Sequence, residues 1–528
     1  MTDPLRVVVV GSGIGGSAVT LLLAKAGVPV TLLEKNRTVG GSCAQYEKRG
    51  FKIDVGTHMF SRGDRGPLGE VLRRAGHAGA IDFRRTHDIS EIRLLEKRAG
   101  QAGGPGAGVH AVRVPSQLRR VPRFAWEIAR ALDLGPREAV GAARLFTRIL
   151  TMSEAEVVRW NDRTIEEFVE PYTEHAPTLG VFGFLLGLYF ILPYWEVSAG
   201  EAIHCFREMA YANALSYPIG GSIAVPRTYV DLAERYGAEV RTGTGVKRIV
   251  VREGRVVGVE LEGGTLLPAN VVVSTSSLRT TVLHLVGPAH FPAGYVDRVA
   301  KIRGSYIAVQ AKIGLSKRLV EAGSIVGGVG ADVDLSTVTT HDMKEMFDAV
   351  TRGEIPRVVP FYCPVPTNFD PGLAPPGHQL LTVCAVAPTT DVALRDPPKA
   401  WEEAMLDTIR RVVPGLDDHV VFVDRFGTDF IERWIGKEFG AAVSTGQTPD
   451  QVGRNRPPVH APIRGLYFAG CNAGGRGVGT ELAASSALEC VDRIVADLGR
   501  VHAPRSSGPS VRRRIARVAA RPISWAVR

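Results

Sequence analysis

The stretch VVVVGSGIGG, Val7 to Gly16, decides how the rest of the chain is read. Four valines run into glycines at 11, 13 and 16, and SAVTLLLAKAG and then VPVTLLEK follow. An apolar run, a glycine turn, a helical run and a second apolar run make a strand, helix, strand unit of about 30 residues, with the helix closing at Gly27. In such a unit Gly11 makes the tight turn, Gly13 lets the backbone approach a pyrophosphate, and Gly16 lets the helix pack closely on the sheet. The helix start, Ile14 and Gly15, presents unpaired N–H groups and the positive dipole end to phosphates. Glu34 ends the second strand, where an acid grips ribose hydroxyls and disfavours a 2′-phosphate. The expected ligand is an adenine dinucleotide other than NADP.

Working outward, 528 residues with 45% hydrophobic and 22% charged side chains are enough for two or more globular domains. The six cysteines form no CxxC pair, so neither a disulfide framework nor a metal site is expected; all six read as small buried hydrophobes. The net charge of +10 looks like a nucleic-acid signal until it is located. Residues 501–528 hold seven arginines and no acid, leaving a near-neutral body, so no nucleic-acid partner is expected. The tail interleaves arginine with Ile515, Val518, Ile523, Trp525 and Val527, which suits either an interfacial segment beside anionic lipid or a solubilising tail. Residues 1–5 lack a basic n-region, so the chain is expected in the cytoplasm, with peripheral contact on the inner membrane face as one reading of the tail.

After the first unit the strand–helix rhythm stops. IRLLEK and VHAVRV flank a Gly/Ala-rich loop and read as a hairpin; residues 124–215 are helical in pattern. From Gly220 a second fragment of the nucleotide fold offers a helix, a strand through Glu239, a hairpin across Arg252 to Gly258 and an apolar strand Val271 to Val273. YIAVQAKIG and QLLTVCAVA read as strands and WEEAMLDTIRRVV as a helix. GLYFAGCNAGGRGVGTELAASSALECVDRIVADL returns to strand, glycine turn and long helix. The glycines at 470, 474, 475, 477 and 479 leave backbone N–H groups free at a helix start, a site that stabilises negative charge.

Together VVVVGSGIGGSAVTLLLAKAG with LLEKNRTVGGS, GFKIDVGTHMF, the stretch from Gly220 to Ser276, and GLYFAG with its glycine-rich helix start resemble the flavin-dependent phytoene desaturase, carotenoid isomerase and retinol saturase group of the amine oxidase superfamily. The resemblance implies FAD and an α/β fold: a discontinuous, Rossmann-like, GR2-type FAD-binding domain (1–80, 219–283 and 455–500), an inserted α+β substrate domain (81–218 and 284–454), and the tail 501–528. It implies cofactor contacts from Gly11, Gly13, Ile14, Gly15, Gly16, Glu34, Lys35, Gly40, Gly41, Ser42, Asp54, Gly56, Val246, Gly470, Asn472, Gly477, Val478, Gly479 and Thr480. Of these, Val478, Gly479 and Thr480 would face the anionic edge of the reduced ring. Two departures stand out: Ser42 where many relatives have arginine, and Cys471 with Asn472 where most have an aspartate. Asn472 keeps hydrogen-bonding capacity without charge.

Leu179 to Trp195 is the most apolar stretch, interrupted by glycines and bounded by Pro177 and Pro193. It reads as a buried core helix, a wall of an apolar tunnel or a membrane-dipping entrance rather than a simple span. His58 is the candidate proton donor or acceptor, with Tyr189 and Arg207 as further candidates and Asp54 as an alternative brace for the loop after Gly50. The resemblance implies an oxidoreductase acting on carbon–carbon bonds of a polyene or isoprenoid lipid, by desaturation, saturation or isomerisation. An amine oxidase of the same fold, a non-catalytic flavin scaffold and an NAD-only dehydrogenase are the alternatives; no aromatic cage or activating lysine is assignable from the residues alone.

Overall fold

The computed structural model describes residues 5–501 apart from 87, 96–108, 116–120, 132–133, 174, 176–177, 180–182, 184–185, 188, 214, 330–338 and 428. The Gly/Ala-rich loop of the first hairpin, Pro177 and the arginine-rich tail lie outside the described residues.

Val7–Val10 and Val30–Leu33 pair in parallel, as four-residue apolar strands covered on both faces should. Between them the helix Ile14–Lys25 buries Leu21, Leu22 and Leu23 completely, each worth about 1.5–3 kcal/mol. Across the five-stranded sheet the order is Leu466–Phe468, Val271–Ser274, Val7–Val10, Val30–Leu33, Glu239–Arg241, all parallel. Strands drawn from the start, middle and end of the chain thus lie side by side. One face packs against Ile14–Lys25, Ala224–Arg235 and Gly479–Val501. The other face is covered by the hairpin Val246–Arg252 with Arg255–Leu261 and by the segment Thr280–Val286.

A second sheet of seven strands runs in the order Val420–Phe426, Ile307–Leu315, Gln379–Ala387, Val359–Pro364, Ser324–Val329, Asp88–Leu95, Val109–Pro115. The expected early hairpin is its far edge, Asp88–Leu95 pairing antiparallel with Val109–Pro115. Along Ile307–Leu315 the side chains alternate. Ile307, Val309, Ala311 and Ile313 enter a core closed by the helix Pro398–Val412, while Ala308 and Gln310 face the cavity described below.

The helical middle consists of Val121–Ala131, Pro136–Thr151, Glu154–Arg159, Ile165–Val169 and Ala199–Ala212. The described part of the apolar stretch serves two of its three readings. Leu186, Phe190, Leu192 and Tyr194 are buried in a core with Ile149, Phe168 and Ile203, whereas Tyr189 and Ile191 line the cavity. Among the described residues no helix is long and apolar enough to cross a membrane.

Candidate functional site

The glycine turns of the two chain ends meet. A Cβ built on Gly15 would sit 2.9 Å from Cα of Gly470, and one on Gly41 would sit 3.2 Å from Cα of Gly13. Gly11, with φ +96°, makes the turn out of the first strand, and a Cβ on Gly16 would lie 1.9 Å from the Gly11 carbonyl oxygen. Only glycine fits that helix–turn contact. Gly13 precedes the helix with φ −61° and ψ 178° and no side chain caps it, so the first helical N–H groups face the cavity unpaired.

Glu34 is the hub of this end. Its Oε2 accepts from the Ser12 N–H (2.9 Å) and hydroxyl (2.6 Å), and its Oε1 from the Asn36 N–H (2.9 Å). The Ser12 hydroxyl accepts from the Gly40 N–H at 3.1 Å, so one carboxylate ties the first turn to the double-glycine turn. The Ser42 carbonyl accepts from Gly56 (3.1 Å) and Thr57 (3.0 Å), which aims the next residue, His58, at the cavity.

The cavity holds about 530 Å³, within the range of small-molecule sites. It runs from these glycines, past the start of the helix Gly479–Val501, to a wall that includes Met59, Tyr189, Ile191, Leu285, Val386 and Val443. Two helix N-termini and a line of exposed backbone N–H groups fit the pyrophosphate and an electron-rich ring edge of a flavin dinucleotide, and the buried carboxylate fits its ribose. Among the described residues no group of His, Cys, Asp and Glu is placed to hold a metal ion.

Of the sequence-derived candidates, Gly11, Gly13, Ile14, Gly15, Glu34, Lys35, Gly40, Gly41, Ser42, Gly56, Val246, Gly470, Asn472, Val478, Gly479 and Thr480 line the cavity, as do His58 and Tyr189. Four do not. Gly16 is spent on helix–turn packing. Asp54 is a brace: its carboxylate accepts from the Ser222 N–H at 3.1 and 3.2 Å and from Gln45 Nε2 at 3.3 Å, joining the Gln45–Lys48 and Phe51–Asp54 hairpin to the second nucleotide fragment. The Gly477 N–H is used by Glu201 Oε1 at 2.6 Å. Arg207 is removed from the cavity, donating to the Met152 carbonyl at 2.6 Å and pairing with Glu154. The cysteine reading needs correcting in part: Cys43, Cys384 and Cys471 contribute to the cavity wall, and Cys384 and Cys471 are only half-buried. Asn472, at the missing aspartate's place, makes two long contacts of 3.4 Å, to Thr445 and to the Ser276 carbonyl.

Several wall residues escaped pattern reading because they come from the seven-stranded sheet and its loops. Gln310 and Tyr362 sit on strand faces with no motif around them. Lys437 brings an ammonium to the wall near Cys43 and Cys471, its Nζ donating to the Ala442 carbonyl at 2.6 Å; burial pushes its pKa down. Lys312 Nζ lies 3.2 Å from His58 Nε2, within hydrogen-bond distance, and Lys312 is itself completely buried. Burial, and then the Lys312 charge, hold His58 well below the usual imidazole range, while the Gln310 amide opposes them. His58 is therefore neutral. The Tyr189 hydroxyl pairs with Ser61 at 2.8 Å, and burial raises its pKa.

The chain is similar to several known proteins. The phytoene desaturase of Fusarium fujikuroi is 26% identical over 402 residues, 71% of this chain and 65% of that protein. This chain thus spans a little under two thirds of that relative. The phytoene dehydrogenase of Streptomyces griseus is 27% identical over 541 residues, 96% of both chains. An oxidoreductase from Methanosarcina mazei shares the fold, with a TM-score of 0.68, 18% identity, and coverage of 92% of this chain and 99% of that one. Residues 16–495 match the family described as flavin containing amine oxidoreductase. That match covers most of the chain, from Gly16 at the close of the first glycine turn through the double glycine at 40 and 41 and the glycines from 470 to 479, so the chain belongs to the flavin-containing amine oxidoreductase family.

Proposed function

We propose that the protein oxidises or reduces carbon–carbon bonds of a polyene or isoprenoid lipid such as a carotenoid. One observation carries this reading over amine oxidation. Among the described residues the carboxylates on the cavity wall are Glu34 and Glu262, both at the dinucleotide end. The rest of the wall offers aliphatic side chains, tyrosines, a neutral histidine, the Gln310 amide and the Lys437 ammonium; its aliphatic part accommodates an apolar chain, and nothing there gives an ammonium substrate a counter-ion. Names of the desaturase and dehydrogenase relatives point the same way.

The chemistry that FAD would supply when bound is acceptance or donation of a hydride at the bond being changed. The chain's own contribution is orientation, exclusion of water and the movement of one proton. We place the cofactor on the lining glycines, with Glu34 on the ribose and Val478, Gly479 and Thr480 at the ring. His58 is the proton carrier because it is the neutral imidazole on the wall, and its Nδ1 is buried without a hydrogen-bond partner among the described residues. The test is anaerobic mixing of the flavin-loaded protein with a polyene panel. Loss of the yellow absorbance, or a shifted polyene spectrum, supports the reading; peroxide release from an amine panel with polyenes untouched overturns it.

A further inference from the structure

Behind His58, on the side away from the cavity, stands Lys312. It follows Ala308 and Gln310 on the same face of the strand Ile307–Leu315, but unlike them it does not reach the cavity wall. Its exposure is 0%, and its Nζ lies 3.2 Å from His58 Nε2. An ammonium has no lone pair, so the contact makes Nε2 the acceptor and leaves the ring proton on Nδ1. That Nδ1 is itself buried and unpartnered among the described residues, as is Oε1 of the neighbouring Gln310. Gln310 comes close enough to the ring to favour its protonated form, yet neither atom makes a well-formed hydrogen bond, so two incompletely satisfied polar groups meet between two residues that both line the cavity.

We propose that Lys312 is a positioning residue that fixes His58 as the Nδ1–H tautomer and exchanges a proton with it, so that the two form the proton relay of the site. This rests on the carbon–carbon reading above. In the saturating direction the Nδ1 proton would pass to one substrate carbon, the hydride for its neighbour being what reduced FAD would supply when bound. His58 Nε2 then takes a proton from the Lys312 ammonium, leaving the Nε2–H tautomer and a neutral amine. In the desaturating direction the same atoms would run backwards: Nδ1 would accept the substrate proton and the Nε2 proton would pass to the amine, oxidised FAD being the hydride acceptor it would supply when bound. His58 ends neutral in both directions, so no imidazolium is stored in a dry site.

The surroundings suit a lysine that gives and regains a proton. Burial lowers its pKa to about 8, opposed by the nearby Cys384, Asp54 and Cys363. Asp54, braced by Ser222 and Gln45, is itself raised to about 7 by burial. On the neighbouring strands Thr382 and Asp424 stand opposite Lys312, and the Asp424 carboxylate is already taken by Tyr46 and Lys48.

The experiment is 15N NMR of histidine-labelled, FAD-loaded protein near neutral pH, with His58→Gln identifying the resonance. The expected result is protonated Nδ1 and bare Nε2 in the unaltered protein, lost in Lys312→Met and retained in Lys312→Arg. Single-turnover rates on the polyene should fall roughly 100-fold in both variants, because arginine donates a hydrogen bond but does not release its proton. FAD affinity should stay within about twofold, and the wild-type pH profile should be lost. An Nε2–H tautomer or an imidazolium in the unaltered protein overturns the proposal without any lysine variant. Wild-type rates and pH profile in both variants overturn the relay. If no polyene turns over in the unaltered protein, the carbon–carbon reading fails, while the NMR result still decides the Lys312–His58 pair.

Discussion

Replacing Gly13 by alanine separates cofactor contact from folding. The Gly13 backbone, φ −61° and ψ 178°, is open to any L residue, and a Cβ there meets no protein atom within 4 Å. In the cofactor-free protein the lost freedom of the unfolded chain gains about 0.4–1 kcal/mol, and the poorer helix cap costs about as much. Unfolding should therefore occur within a degree or so of the unaltered protein. The new methyl projects over the first helical N–H groups, where the pyrophosphate is expected. Displacing even one charge-assisted N–H bond costs about 1.5–3 kcal/mol, or roughly 10- to 150-fold in Kd. Fluorescence titration of deflavinated protein with FAD measures that ratio, and thermal unfolding of the same sample controls for the fold. Gly16→Ala is the contrasting case. Its Cβ would fall 1.9 Å from the Gly11 carbonyl oxygen, well short of an ordinary C···O contact of about 3.3 Å, so the fold itself should suffer. A Gly13→Ala protein that binds FAD like the unaltered one would show that the dinucleotide does not cross this turn.

Other expectations follow from single contacts. Glu34→Gln leaves one acceptor oxygen for donors that now share two, so FAD affinity or apo stability should drop by about 1.5–3 kcal/mol; unchanged titration and melting curves would remove Glu34 as the hub. Arg62, 5% exposed, bridges the buried Glu481 and the half-buried Glu208, and Arg62→Met leaves the Glu481 carboxylate buried without its cation, so denaturant unfolding should show a loss of roughly 3–5 kcal/mol, whereas a loss below about 1 kcal/mol would contradict the pairing. His204 is held neutral, its pKa pushed down to about 2 by burial and then by Arg476, Arg62, Arg207 and Arg456. A base whose folded pKa lies below its unfolded value of about 6.5 contributes stability that is intact above that pH and lost as pH falls, by up to about 1.4 kcal/mol per unit. Melting between pH 7.5 and 5.5 should consequently fall less in His204→Gln than in the unaltered protein, and equal falls would refute the assignment.

The sequence by itself determined the nucleotide-binding half. Val7 to Gly16, Glu34, the strand Val271–Ser274 and the glycine-rich approach to Gly479–Val501 are local patterns, because a pyrophosphate-binding turn is made by neighbours in the chain and its glycines have no substitutes. Tyr189 and His58 were within reach for a related reason, lying in or beside such patterns. Only the tertiary structure decided the rest. Asp54 and Gly477 look like cofactor residues in line and turn out to hold Ser222 and Glu201, and Arg207 reaches the Met152 carbonyl rather than the cavity. Lys312 carries no signal at all, since a lysine in an apolar strand gains meaning from what faces it 254 residues earlier in the chain. Motifs record what adjacent residues do together. The charge, tautomer and solvent exclusion of a site are set by side chains that approach one another only after two sheets have closed over the same cavity.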